Sequence, residues 1–369
     1  MLSAVCGRDA LHEAVHTVAR GVSGRSTQPV QNNVYLSSQA DHLRLVATDL
    51  EFISLEASIP ATHTEPGAIT VPARFFQEVT SNLPEADVEL KELEGNGLSL
   101  SCARSRYQIR GMAAEDFEML PPLADATSFE VDQALLRDVI RQTRIAVSTD
   151  ETRPTLTGAL LSLRANLLEV VATDTHRLAL RRAAIDLADT QRRDAIVSAR
   201  ALTEVERVLH GEGDMPAKVS VSDNQIEFTV GTVTVGSRLI EGQFPDYQKV
   251  VPESCDKRLT VSTRDLEAAL RRSMIVARED AYRITLEADV DLLKVSAESP
   301  DVGVVGEEIE AELEGEPVTV AFNSRYLLDA IAVVTADKVH LELSGPLNPG
   351  MLRPAGGTDY TYVLMPMQK

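Results

Sequence analysis

Two short landmarks recur along this chain with almost the same period, and together they restrict its architecture more than any single residue does. Ala47-Thr48-Asp49, Ala172-Thr173-Asp174 and Ala297-Glu298-Ser299 stand 125 residues apart, twice. In phase with them, Val71-Pro72-Ala73-Arg74-Phe75-Phe76, Val197-Ser198-Ala199-Arg200-Ala201-Leu202 and Phe322-Asn323-Ser324-Arg325-Tyr326-Leu327 set an arginine at 74, 200 and 325. Each arginine begins an amphipathic run. A unit this long exceeds the roughly 20–50 residues of a solenoid repeat and is large enough to bury its own core. The 369 residues therefore read as one domain copied three times, over 1–122, 123–252 and 253–369. The borders are expected near Leu120-Pro121-Pro122 and Val251-Pro252-Glu253.

Within each third the hydrophobic period changes in the same order. Helix-period segments open the copies at Arg8–Gly21, Asp132–Ser148 and Thr263–Glu279. Alternating segments follow, as in Leu43-Arg44-Leu45-Val46-Ala47 and Leu168-Glu169-Val170-Val171-Ala172, and predict strands. A second helix is predicted at Pro72–Leu83, Ser198–Leu209 and Asn323–Val334. Further strands close each unit, such as Leu98-Ser99-Leu100-Ser101-Cys102, set apart by turn signals such as Glu94-Gly95-Asn96-Gly97. The predicted class is α+β, with two helices packed on antiparallel sheet in each copy.

The formal net charge of −20 argues, taken alone, against nucleic acid, because such binding leans on Lys and Arg at phosphates. Net charge does not say where each charge sits, however. Every strongly basic residue within the six predicted helices is an arginine, and the lysines lie elsewhere. The first helix carries Arg8, His12, His16 and Arg20 at i, i+4 spacing on one face, and Leu11, Ala14, Val15 and Val18 on the buried one. Arg137, Arg141 and Arg144 form a similar stripe on the third helix. These faces are either solvated and balanced by neighbours such as Asp9, Glu13 and Asp138, or turned by all copies toward one axis. Three scattered cysteines, Cys6, Cys102 and Cys255, do not form a disulfide framework and fit a reducing cytoplasm. Neither a signal peptide nor a membrane-length apolar stretch is recognisable.

One catalytic pattern occurs. His12-Glu13-Ala14-Val15-His16 fits H-E-x-x-H on a predicted helix, which would place two histidines on zinc with Glu13 as general base. A third ligand is needed, and spacing singles out none. Arg8 and Arg20 flank the pair and would repel a cation. Phosphate-binding glycine loops and a G-x-S-x-G elbow are absent, and no nucleophile completes a triad with Asp174 and His176. The residues make no positive case for an enzyme, a cofactor or a metal.

Four segments in order, together with the repeat, point elsewhere. They are Ala172-Thr173-Asp174-Thr175-His176-Arg177-Leu178-Ala179, Glu241-Gly242-Gln243-Phe244-Pro245-Asp246-Tyr247, Phe322-Asn323-Ser324-Arg325-Tyr326-Leu327-Leu328-Asp329 and Tyr362-Val363-Leu364-Met365-Pro366-Met367. Across its whole length the chain resembles the bacterial sliding clamps, the β subunits of DNA polymerase III. The resemblance implies a non-catalytic protein whose three-domain protomers pair head to tail into a six-domain ring, with helices lining a hole for duplex DNA. It also implies a groove between the second and third domains for short linear motifs of the replicative polymerase, the clamp loader and repair proteins. The matching groove positions are Arg153, Leu156, Thr173, Thr175, His176, Arg177, Leu178, Pro245, Lys249, Val250, Asn323, Tyr326, Leu347, Pro349, Met365, Pro366 and Met367. Those for DNA are Arg25, Arg74, Arg200 and Lys249, to which the helical stripe adds Arg137, Arg141 and Arg144. The seam is expected to pair the strand through Tyr107 and Ile109 with Ile275 and Val276 of a second protomer. A paralogue serving repair or a mobile element has the same signature. The family often has Gly where Thr175 stands, and it favours an aromatic at Thr155 and a basic-apolar pair at Gln368-Lys369. These departures bear on motif preference.

A clamp that slides cannot hold base-specific contacts, each of which would cost about 1–3 kcal/mol to break. Arginine-to-phosphate attraction is sequence-independent and permits movement along DNA. An acidic exterior would confine that attraction to the hole.

Overall fold

A computed structural model describes residues 1–22, 28–187, 192–209 and 215–368. Among them lie six α-helices: α1 (Arg8–Val18), α2 (Ala73–Ser81), α3 (Gln133–Arg144), α4 (Ala199–Val208), α5 (Thr263–Ala277) and α6 (Ser324–Ile331). Each begins within one residue of its predicted start and ends one to four residues sooner than predicted. The starts are legible because caps and strand ends fix them. The Asn323 side chain accepts from the Arg325 and Tyr326 amides at 3.0 and 3.3 Å, and Ser262 accepts from Asp265 at 3.3 Å. On α1 the buried residues are Leu11, Ala14, Val15 and Val18, the stripe read from spacing. Each such Leu or Val contributes about 1.5–3 kcal/mol by leaving water.

The chain divides into two compact units, Met1–Leu136 with Arg200–Leu239, and Arg137–Ala199 with Ile240–Lys369. The first unit holds a five-stranded sheet ordered Thr62–Glu65, Ser3–Cys6, Val88–Leu93, Gly97–Cys102, Ser105–Arg110. It also holds a nine-stranded sheet in which Ser54–Pro60 pairs antiparallel with Val233–Arg238. Helix α1 packs on α2 and on the strands His42–Thr48 and Ser54–Pro60.

The second unit is built on one twelve-stranded sheet. Its centre joins Arg177–Ala184 to Tyr360–Leu364, with Leu178 opposite Val363 and Arg181 opposite Tyr360. The expected border between the second and third copies is thus crossed by continuous antiparallel pairing. Helix α5 packs on α6 and on the strands Leu292–Ser299 and Gly303–Glu314.

Candidate functional site

The repeated Ala-Thr-Asp landmark is a turn that closes on its own side chains. Thr48 Oγ1 accepts from the Leu50 amide at 2.9 Å and donates to the Ile53 carbonyl at 2.8 Å. Thr173 Oγ1 likewise accepts from the Thr175 amide at 3.1 Å and donates to the Arg177 carbonyl at 2.7 Å. Asp49 and Asp174 then gather the following amides. The geometry forces the next residue into the left-handed region, with φ of 64° at Leu50 and 79° at Thr175. Glycine takes this conformation freely, whereas an L side chain loses about 1–2 kcal/mol there. Thr175 therefore adopts the backbone that its β-branch disfavours, held by the turn. Its hydroxyl faces the Arg153 guanidinium at 3.4 Å. In the third copy only a hydroxyl-to-amide bond remains, from the Asp301 amide to Ser299 Oγ at 3.4 Å.

In the second copy this turn presents Arg177, which ties three elements together. Its Nε donates to Asp174 at 3.0 Å, and its Nη1 donates to Asp329 on α6 at 2.5 Å and to the Tyr362 hydroxyl at 3.3 Å. Its guanidinium lies 4.2 Å from the centre of the Tyr326 ring. Burial alone would lower its pKa, but Tyr362, Asp329 and Asp174 outweigh burial and hold the charge firmly. Burial pushes the Tyr362 phenol up in spite of Arg177, so Tyr362 stays protonated at neutral pH.

Beside this network Leu156, Leu178, Phe244, Tyr247, Met351 and Val363 share one apolar cluster, with Val250 packed against it. Leu156 and Leu178 are only 3% and 1% exposed, so they lie beneath the surface that the expected groove positions border. The reachable rim comes from Arg153, Thr175, His176, Pro245 and Lys249, all exposed, and from half-buried Val250, Asn323, Tyr326 and Pro349. Thr173 is buried beneath it. The tail Met365, Pro366 and Met367 is half-buried and pinned by main-chain bonds, from the Met365 amide to His176 at 2.9 Å and from the Met367 amide to Ala321 at 2.8 Å. Leu347, 67% exposed, and Met367 border a separate cleft of about 700 Å³ over Thr319 and Ala321. Phe244, Met351 and Val363 belong to this cluster although the expected set omitted them. Two of these stood inside the quoted segments, but Met351 carried no signal of its own.

The basic positions fall into different settings. Arg74 on α2 and Arg137 on α3 are exposed and make no ion pair among the described residues. Arg141 lies 3.4 Å from Asp138, and Arg144 is half-buried and partnered. Lys249 pairs with Asp246 at 2.9 Å while staying 82% exposed. Arg200 is bound to the buried carboxylate of Asp49 and reaches the Arg20 and Val22 carbonyls at 3.4 and 3.3 Å. It fastens α4 to the Ala-Thr-Asp turn of the first copy, so its reversal would disturb the fold as well as any phosphate contact. Arg25 lies outside the described residues.

One expectation about the seam is corrected, and it concerns α5. Ile109, on the edge strand Ser105–Arg110, is 2% exposed. Ile275 and Val276 lie on α5, whose main-chain groups are spent inside the helix, so a strand cannot pair with them. Ile275 is 61% exposed and Tyr107 half-buried. On α1 the ring centres of His12 and His16 are 6.2 Å apart, and His16 Nδ1 meets Gln77 at 3.0 Å. Glu13 faces solvent, and no three His, Cys, Asp or Glu gather around a metal-sized space among the described residues.

The models of the N-terminal, central and C-terminal domains of the DNA polymerase III beta subunit match residues 2–121, 130–246 and 248–368. The chain is 30% identical over 379 aligned positions to the beta sliding clamp of Staphylococcus aureus, with both covered in full. It superposes on the DNA polymerase III subunit beta of Pseudomonas aeruginosa with a TM-score of 0.95 at 31% identity and full coverage of both chains. The sliding clamp of Bacillus subtilis gives 0.94 at 29% identity, covering 100% of this chain and 99% of that one.

Proposed function

Because the chain belongs to the bacterial sliding-clamp family, the β subunits of DNA polymerase III, we propose that two copies close head to tail around duplex DNA and hold partners through the groove beside Arg177. The protein is a DNA sliding clamp, a processivity subunit without catalysis of its own. We take its three repeats as 1–122, 123–252 and 253–369. The polymerase, the clamp loader and repair proteins are the partners this reading assigns to the groove.

Two free sheet edges support the closure. The strand Ser105–Arg110 ends its sheet with no further neighbour among the described residues. The long strand Gly303–Glu314 pairs over 303–310 on one side only. Main-chain pairing of one edge with the other, across protomers, would satisfy both. The charges are complementary: Arg104, Arg106 and Arg110 stand on or beside the first edge, and Glu307, Glu308 and Glu310 on the second. Tyr107 would then meet Ile275 and Val276 by side-chain contact, flanking the paired strands. Arg272, one turn before Ile275, is held by Glu307 on the second edge at 2.7 Å.

The observation that carries DNA binding is the exposed, unpaired arginine on helices of a strongly acidic chain, at Arg74 and Arg137. In this reading Arg25, Arg141, Arg144 and Lys249 add to the same attraction, and Arg200 contributes through the turn it fastens. Arg74→Glu and Arg137→Glu should shorten retention on circular DNA while the dimer persists. The dependence of log affinity on log salt should flatten by about one for each arginine-to-phosphate interaction removed. An equal reduction from reversing exposed residues outside the helices would contradict the assignment.

A further inference from the structure

The sheet face that floors the groove continues into a cluster of arginines that the groove does not use. On the strand Gly158–Arg164, Leu160 faces the apolar cluster, and Ser162 and Arg164 follow on the same side by alternation. Glu169 lies opposite both Ser162 and Arg182, and Asp194 opposite Ser162. Two carboxylates thus face three arginines, Arg164, Arg182 and Arg192. Both carboxylates are already engaged. Glu169, 4% exposed, accepts from Arg182 at 2.7 Å and from the Tyr247 hydroxyl. Asp194 accepts from Ser162 at 2.6 Å and from Arg192 at 2.9 Å. Arg164 is left over. Its Nε and Nη2 are buried and meet no acceptor, and no carboxylate pairs with it among the described residues. A guanidinium that meets Asp194 only at longer range, at a partly buried position, favours an incoming carboxylate, which it binds through charge-assisted hydrogen bonds.

The patch is continuous with the groove. Tyr247 packs in the apolar cluster with its ring and caps Glu169 with its hydroxyl. Arg182 stands four positions after Leu178 on one strand, and Arg164 four after Leu160 on the next, which is about 13 Å of extended chain. We propose that this patch receives an acidic residue of the partner segment whose apolar anchor occupies the groove, four to six positions along from that anchor. The inference rests on the groove reading above. It adds a preference for partners with an acidic flank, unexpected for a chain of net charge −20.

The test uses the full-length protein and four fluorescein-labelled synthetic peptides read by anisotropy. All carry the same Leu-Phe anchor, with three glutamates or three glutamines set five residues before it or after it. On one side the glutamate peptide should bind about fivefold tighter than its glutamine twin at low salt, with the difference shrinking as salt rises. In Arg164→Gln that advantage should vanish while the glutamine peptides keep their affinity. Equal binding of glutamate and glutamine peptides on both sides overturns the patch and leaves the groove standing, as does an advantage that survives Arg164→Gln. Failure of all four peptides to bind overturns the groove reading and the inference with it. Loss of duplex retention in Arg164→Gln with unchanged peptide affinities assigns the patch to nucleic acid instead and also overturns the proposal.

Discussion

Replacing Ile275 with aspartate is expected to halve the mass of the particle in solution. The wild-type chain of 40.1 kDa should scatter light as a dimer of about 80 kDa at micromolar concentration. Ile275 is 61% exposed on α5, and in the proposed closure it is covered by the partner's Ser105–Arg110 strand. A carboxylate there would be buried without a partner, a change that typically costs about 2 kcal/mol or more at an interface centre. The cost is incurred at both symmetry-related seams of a two-protomer ring, so dimer affinity should fall by about a thousandfold or more. The variant should still unfold cooperatively, because an exposed residue on α5 leaves no cavity when replaced. A variant that remains dimeric would place the seam elsewhere.

The second large effect concerns the tail. Deleting residues 365–369 should weaken binding of a polymerase-derived peptide by about thirtyfold or more, the effect of removing one hot spot of about 2 kcal/mol. The fold should survive, because Tyr360–Leu364 stays paired to Arg177–Ala184 on one side and to Gly350–Pro354 on the other. The deletion removes two main-chain bonds and the flexible thioethers of Met365 and Met367, which can adapt to several ligand shapes. Titration calorimetry against the truncated dimer measures the change. Undiminished affinity would show that the tail forms no wall of the groove.

Much of the fold was legible because local signals and the repeat agreed. The phase of Leu11, Ala14, Val15 and Val18 fixed the buried face of α1, and Asn323 and Ser262 fixed the starts of α6 and α5. Helix ends were less legible, since α3 stops at Arg144 although the helix period reads on to Ser148. The resemblance proposes where a groove lies, but it does not separate its buried positions from its exposed ones. Leu178 and Thr175 are neighbours in sequence, yet one is buried by strand pairing and the other lifted out by a left-handed turn. Arg200 looked like Arg74 in the repeat. Only the fold reveals that Asp49, 151 residues away, claims its guanidinium.

The account turns on topology, so the most direct test compares closed and open DNA. The protein is loaded on a nicked circle, separated from free protein by gel filtration, and followed after the circle is cut once. A ring that binds by encirclement, with only loose arginine-to-phosphate attraction, should remain on the circle for the length of the experiment. It should leave within the dead time once an end exists, and a block at each end should restore retention. Equal lifetimes on circular and linear DNA would contradict encirclement and leave an ordinary DNA-binding protein in its place.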